Sequence, residues 1–408
     1  MTAAHPEDET IRAWWAHRQG LDGSLAGAPA ARVLERTGWS RSVGGAGPYL
    51  TLFSRAGTRR AEADAAVAMP GLGGIHELPS ARGCTYVVPW MDYGLALRVG
   101  QDDGDPAEVA TAKKHFGVTD DELARLRAGV LAALAEGPLD PAALKATLGD
   151  TIRNLGPEAK KRGLTTTLPL ALGYLQSTGA IIRVPMNGRL DQQRFRYTRW
   201  GLDAPALRLP REEALRELAR RYWRWAGPAS LAHFQWFTGL SGKAARPIVE
   251  PLGLVPLAEG DPRLLFPVDR AALLAFRAPA EPQVALVGWL DNMLHLRRDV
   301  SCLLAAEDRE RRVLGEKGEE QPVANLSDLP SHAILDRGRL VGLWEFDPVE
   351  GAIAWRTFTP QPASLKPLKD AIARTEAYIR EDLGDLRGYS LDSPESRRPR
   401  IAALRREA

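Results

Sequence analysis

One order of elements occurs twice in succession, and it constrains the fold more than any single motif. The first copy opens with DDELARLRAGVLAALAE, where Leu123, Leu126, Val130 and Leu134 recur at intervals of three and four. That spacing predicts a helix with one buried face. Gly137-Pro138 breaks it, and DPAALKATL supplies a second, shorter helix that Asp140 can cap with Pro141 in the first turn. TTTLPLALGYLQSTG predicts a third helix, with Thr167 as N-cap, Pro169 in its first turn, Gly179 at its end and Leu168, Leu172 and Leu175 inside. AIIRVPMNGRLDQQRFRYTRW then reads as two strands around Asn187-Gly188, a hairpin signal. The second copy repeats this with REEALRELARRYWRWA, Gly227-Pro228, SLAHFQWFTGL capped by Ser230, SGKAARPIVEPLG shortened by Pro247, and a hairpin in GLVPLAEGDPRLLFPVD. Helix, Gly-Pro turn, helix, helix, hairpin is the order of a winged helix-turn-helix.

The chain has 408 residues, too many for one core. Residues 10–100 alternate helices with the apolar strand CTYVVP and leave room for a third, degenerate copy. Residues 282–360 are β-rich: SHAILDRGRLVGLWEFD and GAIAWRTF alternate as paired strands do. SLKPLKDAIARTEAYIREDL is a closing helix, and the arginine-rich SPESRRPRIAALRREA reads as loose. The expected fold class is therefore α+β in five segments. Residues 1–118 form an N-terminal winged-helix-like domain, 119–208 a winged helix with a basic wing, and 209–278 a second winged helix. Residues 279–392 form a β-rich domain with its closing helix, and 393–408 a basic flexible tail.

Lys and Arg number 54 against 51 Asp and Glu, so total charge neither demands nor excludes nucleic acid. Local pattern says more. Lys160, Lys161 and Arg162 precede the third helix of the first copy, and Thr165 and Thr166 lie at its start, where amides and hydroxyls suit phosphate. The hairpin adds Arg183, Arg189, Arg194, Arg196 and Arg199, with Asp191 its one acid, as expected of a wing lying along a duplex. Lys243 and Arg246 hold the equivalent helix start in the second copy. The bland alternative is a solvated, arginine-rich surface. Trp223, Trp225, Phe234, Trp236 and Phe237 recur at helical spacing and are expected in a core between helices rather than stacked on bases.

Other chemistries find little footing. Cys84 and Cys302 offer neither a disulfide framework nor a metal site, and the seven histidines show no ligand spacing. GLSGK lacks the glycine spacing and the Ser/Thr of a P-loop. No metal or cofactor is expected. His76 beside Glu77 reads as structural. The polar, acidic start MTAAHPEDET does not resemble a signal peptide, and no apolar run approaches a membrane span. A cytoplasmic, nucleoid-associated monomer is expected.

One stretch, GWSRSVGGAGPYLTLFSRAG, fits no nucleotide-phosphate spacing, and its glycines guarantee only backbone freedom and close approach by another group. PYLTLFSRAG and the following AEADAAVA, ELPSARGCTYVVPWMDYGLAL with Arg82, Gly83 and Thr85, RRYWRWAGPASLAHFQWFTGL, VGWLDNMLHLRRD and DRGRLVGLW occur in this order along residues 10–360. Together they resemble the winged-helix DNA glycosylases of the AlkZ/YcaQ group, which release bulky N-alkylated purines and unhook interstrand crosslinks. The resemblance implies tandem winged helices followed by a small β-barrel, damaged double-stranded DNA as partner, and a Q-x-Q or Q-x-D reaction centre just before PYLTLFSR. That place holds SRSVGG here, with no glutamine or aspartate between Gly38 and Pro48. The catalytic pair does not carry over. Ser42, or Ser40, remains to hold a water, and the backbone of Gly44 and Gly45 to approach the sugar. Glu35, Asp64 or Glu77 would have to bring any negative charge from nearby elements. Two functions follow: a monofunctional glycosylase hydrolysing N-glycosidic bonds, or an inactive lesion sensor or DNA-binding regulator on the same scaffold. A third, a scaffold protein without a DNA role, is compatible with the modest net charge.

Overall fold

The computed structural model describes residues 6–101, 104–192, 194–200, 205–315, 318–360 and 362–406. Met1–His5 of the polar N-terminus and the last two residues of the basic tail lie outside them.

The repeated order is present. In the first copy the helix Asp120–Ala133 is capped by Thr119, Pro141–Leu148 is capped by Asp140 (Ala143 N to Asp140 Oδ1, 2.8 Å), and Leu168–Ser177 follows. The hairpin pairs Ile181–Pro185 with Phe195–Arg199. In the second, Arg211–Ala226, Leu231–Thr238 and Gly242–Val249 precede Val255–Pro256 paired with Arg263–Leu265. The residue after each Gly-Pro joins its own hairpin: Leu139 bridges Tyr197, and Ala229 pairs with Leu264. A third copy of this order stands at the N-terminus. The helix Ala30–Thr37, the short strand Ser40–Arg41 and the helices Gly47–Ala56 and Arg60–Ala68 lead to Ile75–Pro79 paired with Thr85–Pro89. Ser40 pairs with Val87 of the hairpin, as Ala229 does with Leu264. The copies differ at one junction. Asp140 and Ser230 cap their second helices directly after the short strand, whereas the N-terminal copy inserts residues 42–46 and starts its helix uncapped.

Two local expectations change. Thr167 sits at the N-cap position but makes no cap bond, because its Oγ1 is taken by Arg153 N at 3.1 Å. The first hairpin turns at Asn187-Gly188 (Gly188 N to Pro185 O, 3.2 Å), but the chain does not rejoin the partner strand until Arg194, whose carbonyl accepts from Met186 N at 2.8 Å. Burial explains the longer return: Leu190 is buried in the same apolar core as the N-terminal copy, and its N–H donates to the Tyr49 hydroxyl at 2.9 Å. The expected aromatic core is present, with Trp223, Trp225, Phe234 and Phe237 packed against Trp39, Tyr86 and Tyr93.

The C-terminal region departs from expectation in two ways. Its strands form an open antiparallel sheet ordered Ala352–Thr357, Arg339–Asp347, His332–Asp336, Val284–Val287, plus a separate Arg312–Leu314/Glu320–Pro322 ribbon. No closed barrel is found among the described residues. The sheet need not close, because both faces are covered. Leu286, Ile334 and Val341 face Leu368 and Ile372 of the helix Leu365–Tyr378, while Val287, Leu335 and Leu340 face Ile401 and Leu404. The latter pair lies on the helix Pro394–Arg405, so the tail is not loose. Ser393 caps this helix, and two of its arginines are bound inward. Arg397 is fully buried on Asp385 (2.8 Å), and Arg400 bridges Glu345 (2.7 Å) and Asp392 (2.8 Å). No described helix is long and apolar enough to cross a membrane.

Candidate nucleic-acid interface

The inserted segment at 42–46 lies where three parts of the chain meet. Ser42 N donates to Thr85 O (3.0 Å), which continues the strand pairing of Ser40–Arg41. Beyond it, Ala46 N donates to Arg387 O (2.8 Å) and Ser390 N donates to Val43 O (3.0 Å). The stretch around Gly388 thus straps the loop. A Cβ on Gly45 would stand 2.5 Å from the backbone of Arg387 and Gly388. Gly45 is glycine because another chain segment crosses it, and it offers no free backbone to a sugar. Gly44, at φ +76°, opens instead onto a cavity of about 640 Å³. Arg189, Gln192 and Arg194 of the first hairpin line it on one side, and Asp385, Arg387 and Ser390 on the other.

The serine hydroxyls are spent internally. Ser40 Oγ donates to Thr51 Oγ1 at 3.1 Å, and Ser42 Oγ makes a short hydrogen bond to Glu77 Oε1. Both hydroxyl hydrogens are committed, so only their acceptor lone pairs are left to a water. Of the three carboxylates considered, only Glu77 reaches the loop. Glu35 pairs with Arg32 at 3.2 Å, and Asp64 is held by Arg60 at 2.8 Å and by the Tyr49 hydroxyl. Burial raises the Asp64 carboxyl above the ordinary range. Glu77 comes from the strand Ile75–Pro79, and its second oxygen lies 3.3 Å from Arg183 of the hairpin strand Ile181–Pro185. Its neighbour His76 is structural: Trp90, Tyr93 and Trp200 surround the ring, and burial pushes its pKa down to about 4.

The basic candidates separate into two groups. Arg183 is half-buried over the Phe195 ring (4.5 Å) and committed to Glu77. Arg189 binds Asp191 (Nε to Oδ1, 2.9 Å), and Lys161 is paired with Glu158 at 2.6 Å. Lys160, Arg162, Arg194, Arg196, Lys243 and Arg246 are exposed. Among the described residues none of these six has an ion-pair partner. Thr165 is exposed and Thr166 half-buried, bridging to Asn154 in a β-type pairing.

The segments that carried the resemblance prove to be the joints of the molecule. Arg55 of PYLTLFSR and Asp291 of VGWLDN are both fully buried and form a bidentate pair at 2.7 and 2.9 Å. Asn292 Nδ2 donates to Thr37 O at 3.0 Å, and Arg297 Nη2 donates to Ala226 O at 2.5 Å. Arg82 lies 4.8 Å over Trp236, and Arg298 lies 5.3 Å from the same ring. Sequence reasoning missed the Arg183–Glu77 contact and the strap at 387–392. GDLRGYSLD carries turn residues but nothing that points to residue 45.

A family model described as DNA glycosylase AlkZ-like matches residues 42–387. The match begins at the first residue of the inserted loop, and most of the strap lies beyond its end. Among solved structures, Streptomyces sahachiroi DNA glycosylase AlkZ superposes with a TM-score of 0.66 at 19% identity, covering 92% of this chain and 97% of that one. At this identity the likeness speaks for the fold. No curated protein sequence matches.

Proposed function

The chain belongs to the AlkZ-like DNA glycosylase family, and from that premise we propose that it is a monofunctional glycosylase that removes bulky N-alkylated purines from duplex DNA. One observation carries the reading: the backbone of Gly44 and the wing arginines Arg189 and Arg194 line the same cavity. Its volume lies within the range of ordinary ligand sites. The three repeated units are read as winged helices, with the wing of residues 119–208 along the duplex and the unit of residues 209–278 beside it. Residues 1–118 present the lesion-facing loop, and residues 279–392 brace it. Lys160, Arg162, Thr165, Arg194, Arg196, Lys243 and Arg246 hold backbone phosphates, and the protein acts as a nucleoid-associated monomer.

The chemistry asks little of the site. An N3- or N7-alkylated purine is cationic and departs as a neutral base, so the enzyme has to stabilise a cationic sugar and position water. The test incubates the protein with duplex containing one N7-alkylguanine and scores alkali-labile sites. Strand breaks above the no-enzyme control support the glycosylase. Undamaged strands with a retained gel shift refute it and leave the lesion sensor, a role favoured by the missing glutamine and by the strap over Gly45.

A further inference from the structure

We propose that Glu77 is the catalytic carboxylate of this chain, standing in for the Gln/Asp pair missing between Gly38 and Pro48. The inference rests on the glycosylase reading above. Three observations meet at this residue. Ser42, the first residue of the inserted loop, binds Glu77 Oε1 and fixes the carboxylate at the place where the chain departs from its neighbours in repeat order. Glu77 is 5% exposed, and its Oε2 accepts no hydrogen bond. A buried carboxylate oxygen with a nearby cation but no aligned hydrogen bond is expensive, and such groups call for an explanation. Finally, the charged group beside that oxygen is Arg183, at 3.3 Å, and it belongs to the wing. Other carboxylates near the loop have their oxygens engaged: Asp191 by Arg189, Asp64 by Tyr49 and Arg60, and Asp385 by Arg397.

The arrangement gives the carboxylate a covered and an uncovered state. In the free protein Arg183 screens Oε2 and rests on Phe195. A backbone phosphate competes for the same guanidinium, since arginine binds both carboxylate and phosphate with its forked donors. Engagement of the wing then draws Arg183 away and turns Oε2 toward the sugar. As the C1′–N9 bond breaks, its electron pair leaves with N9 and neutralises the cationic base. The Glu77 charge offsets the positive charge on the sugar ring. Water oxygen bonds to C1′, and its proton passes to Glu77 Oε2 and then to solvent.

The test measures single-turnover release of N7-methylguanine from duplex DNA, with DNA affinity titrated separately, for wild type, Glu77→Gln and Glu77→Ala. Glutamine keeps an acceptor for Ser42, so the local fold is held while the charge is lost. The expected result for Glu77→Gln is a rate lower by about 100-fold, the lower end for losing an acid–base group, with Kd equal or tighter because the carboxylate no longer competes for Arg183. In Glu77→Ala, added formate restores part of the lost rate and leaves wild type unaffected. A Glu77→Gln rate equal to wild type overturns the assignment of Glu77 while sparing the glycosylase reading. A rate loss matched by lost binding, with no formate rescue, makes Glu77 structural and overturns it as well. Wild type that releases no base overturns both.

Discussion

Replacing Arg194 and Arg196 together by alanine separates a working wing from a decorated one. The pair stands two positions apart at the entry to the strand Phe195–Arg199, so both side chains leave the same face. Both are exposed, and among the described residues neither has an ion-pair partner to release before it can meet a phosphate. Arg189 and Lys161 are held by Asp191 and Glu158 and are counted out for DNA contact, and Arg183, which trades the Glu77 carboxylate for a phosphate, exchanges one anion for another and is left out of the salt slope. Lys160, Arg162, Arg194, Arg196, Lys243 and Arg246 remain. Each neutralised phosphate contributes about 0.9 to the slope of log K against log salt, so all six together give a slope of about −5. The double variant removes two contacts and flattens the slope to about −3.5, again at about 0.9 per contact. The assay is fluorescence anisotropy with one labelled duplex at several salt concentrations between 50 and 200 mM, a span chosen as roughly that over which such slopes are resolved. Folding is checked by circular dichroism. An unchanged slope with an intact fold would refute the placement of DNA along this wing. A loss of affinity with no change in slope would mean that the arginines act by shape rather than by charge.

Three further outcomes follow from the packing. Asp291→Ala strands the buried Arg55 guanidinium and removes the cap at Met293 N, and it should cost about 3–5 kcal/mol by denaturant titration; a loss below about 1 kcal/mol, the range of exposed pairs, would deny that this joint holds the N-terminal copy to the β-rich region. Gly45→Ala has to displace the backbone of Arg387 and Gly388, at a cost of about 1–3 kcal/mol, and should raise hydrogen exchange at Ala46 and Ser390, whose amides bond across the strap; unchanged exchange at both would show that the contact is loose. His76, His295 and His332 are buried with pKa values pushed by burial to about 4, 3 and 3. Each folded value lies below the unfolded one, so the stability they confer is complete above about pH 6.5. That stability is lost as acid protonates the unfolded chain first, by up to about 4 kcal/mol per pH unit for three protons. Denaturation midpoints that stay level from pH 7 to pH 5 would count against three buried neutral imidazoles.

What could be seen beforehand divides along a physical line. The amphipathic period, the Gly-Pro breaks, the caps at Asp140 and Ser230 and the hairpins are local properties, set by neighbours within a few residues, and a sequence displays them directly. The exposed cations also follow from composition at the surface. Contacts between distant segments leave no such trace. Nothing around Arg397 announces that it closes on Asp385, and a tail dense in arginine looks solvated until its acids are located in space. The strands of the C-terminal sheet alternate whether the sheet closes or stays open. Only the helices Leu365–Tyr378 and Pro394–Arg405, one on each face, decide that it stays open. The loop at 42–46 shows the division most sharply. Its sequence establishes that no glutamine or aspartate is present and that its glycines permit close approach. The tertiary structure decides what approaches: Arg387 and Gly388 press on Gly45, a cavity opens beside Gly44, and Glu77, 35 residues away in sequence from Ser42, supplies a carboxylate. Sequence fixes which groups a segment can offer, because side-chain chemistry and backbone freedom are local. Which groups meet depends on packing that spans the whole chain.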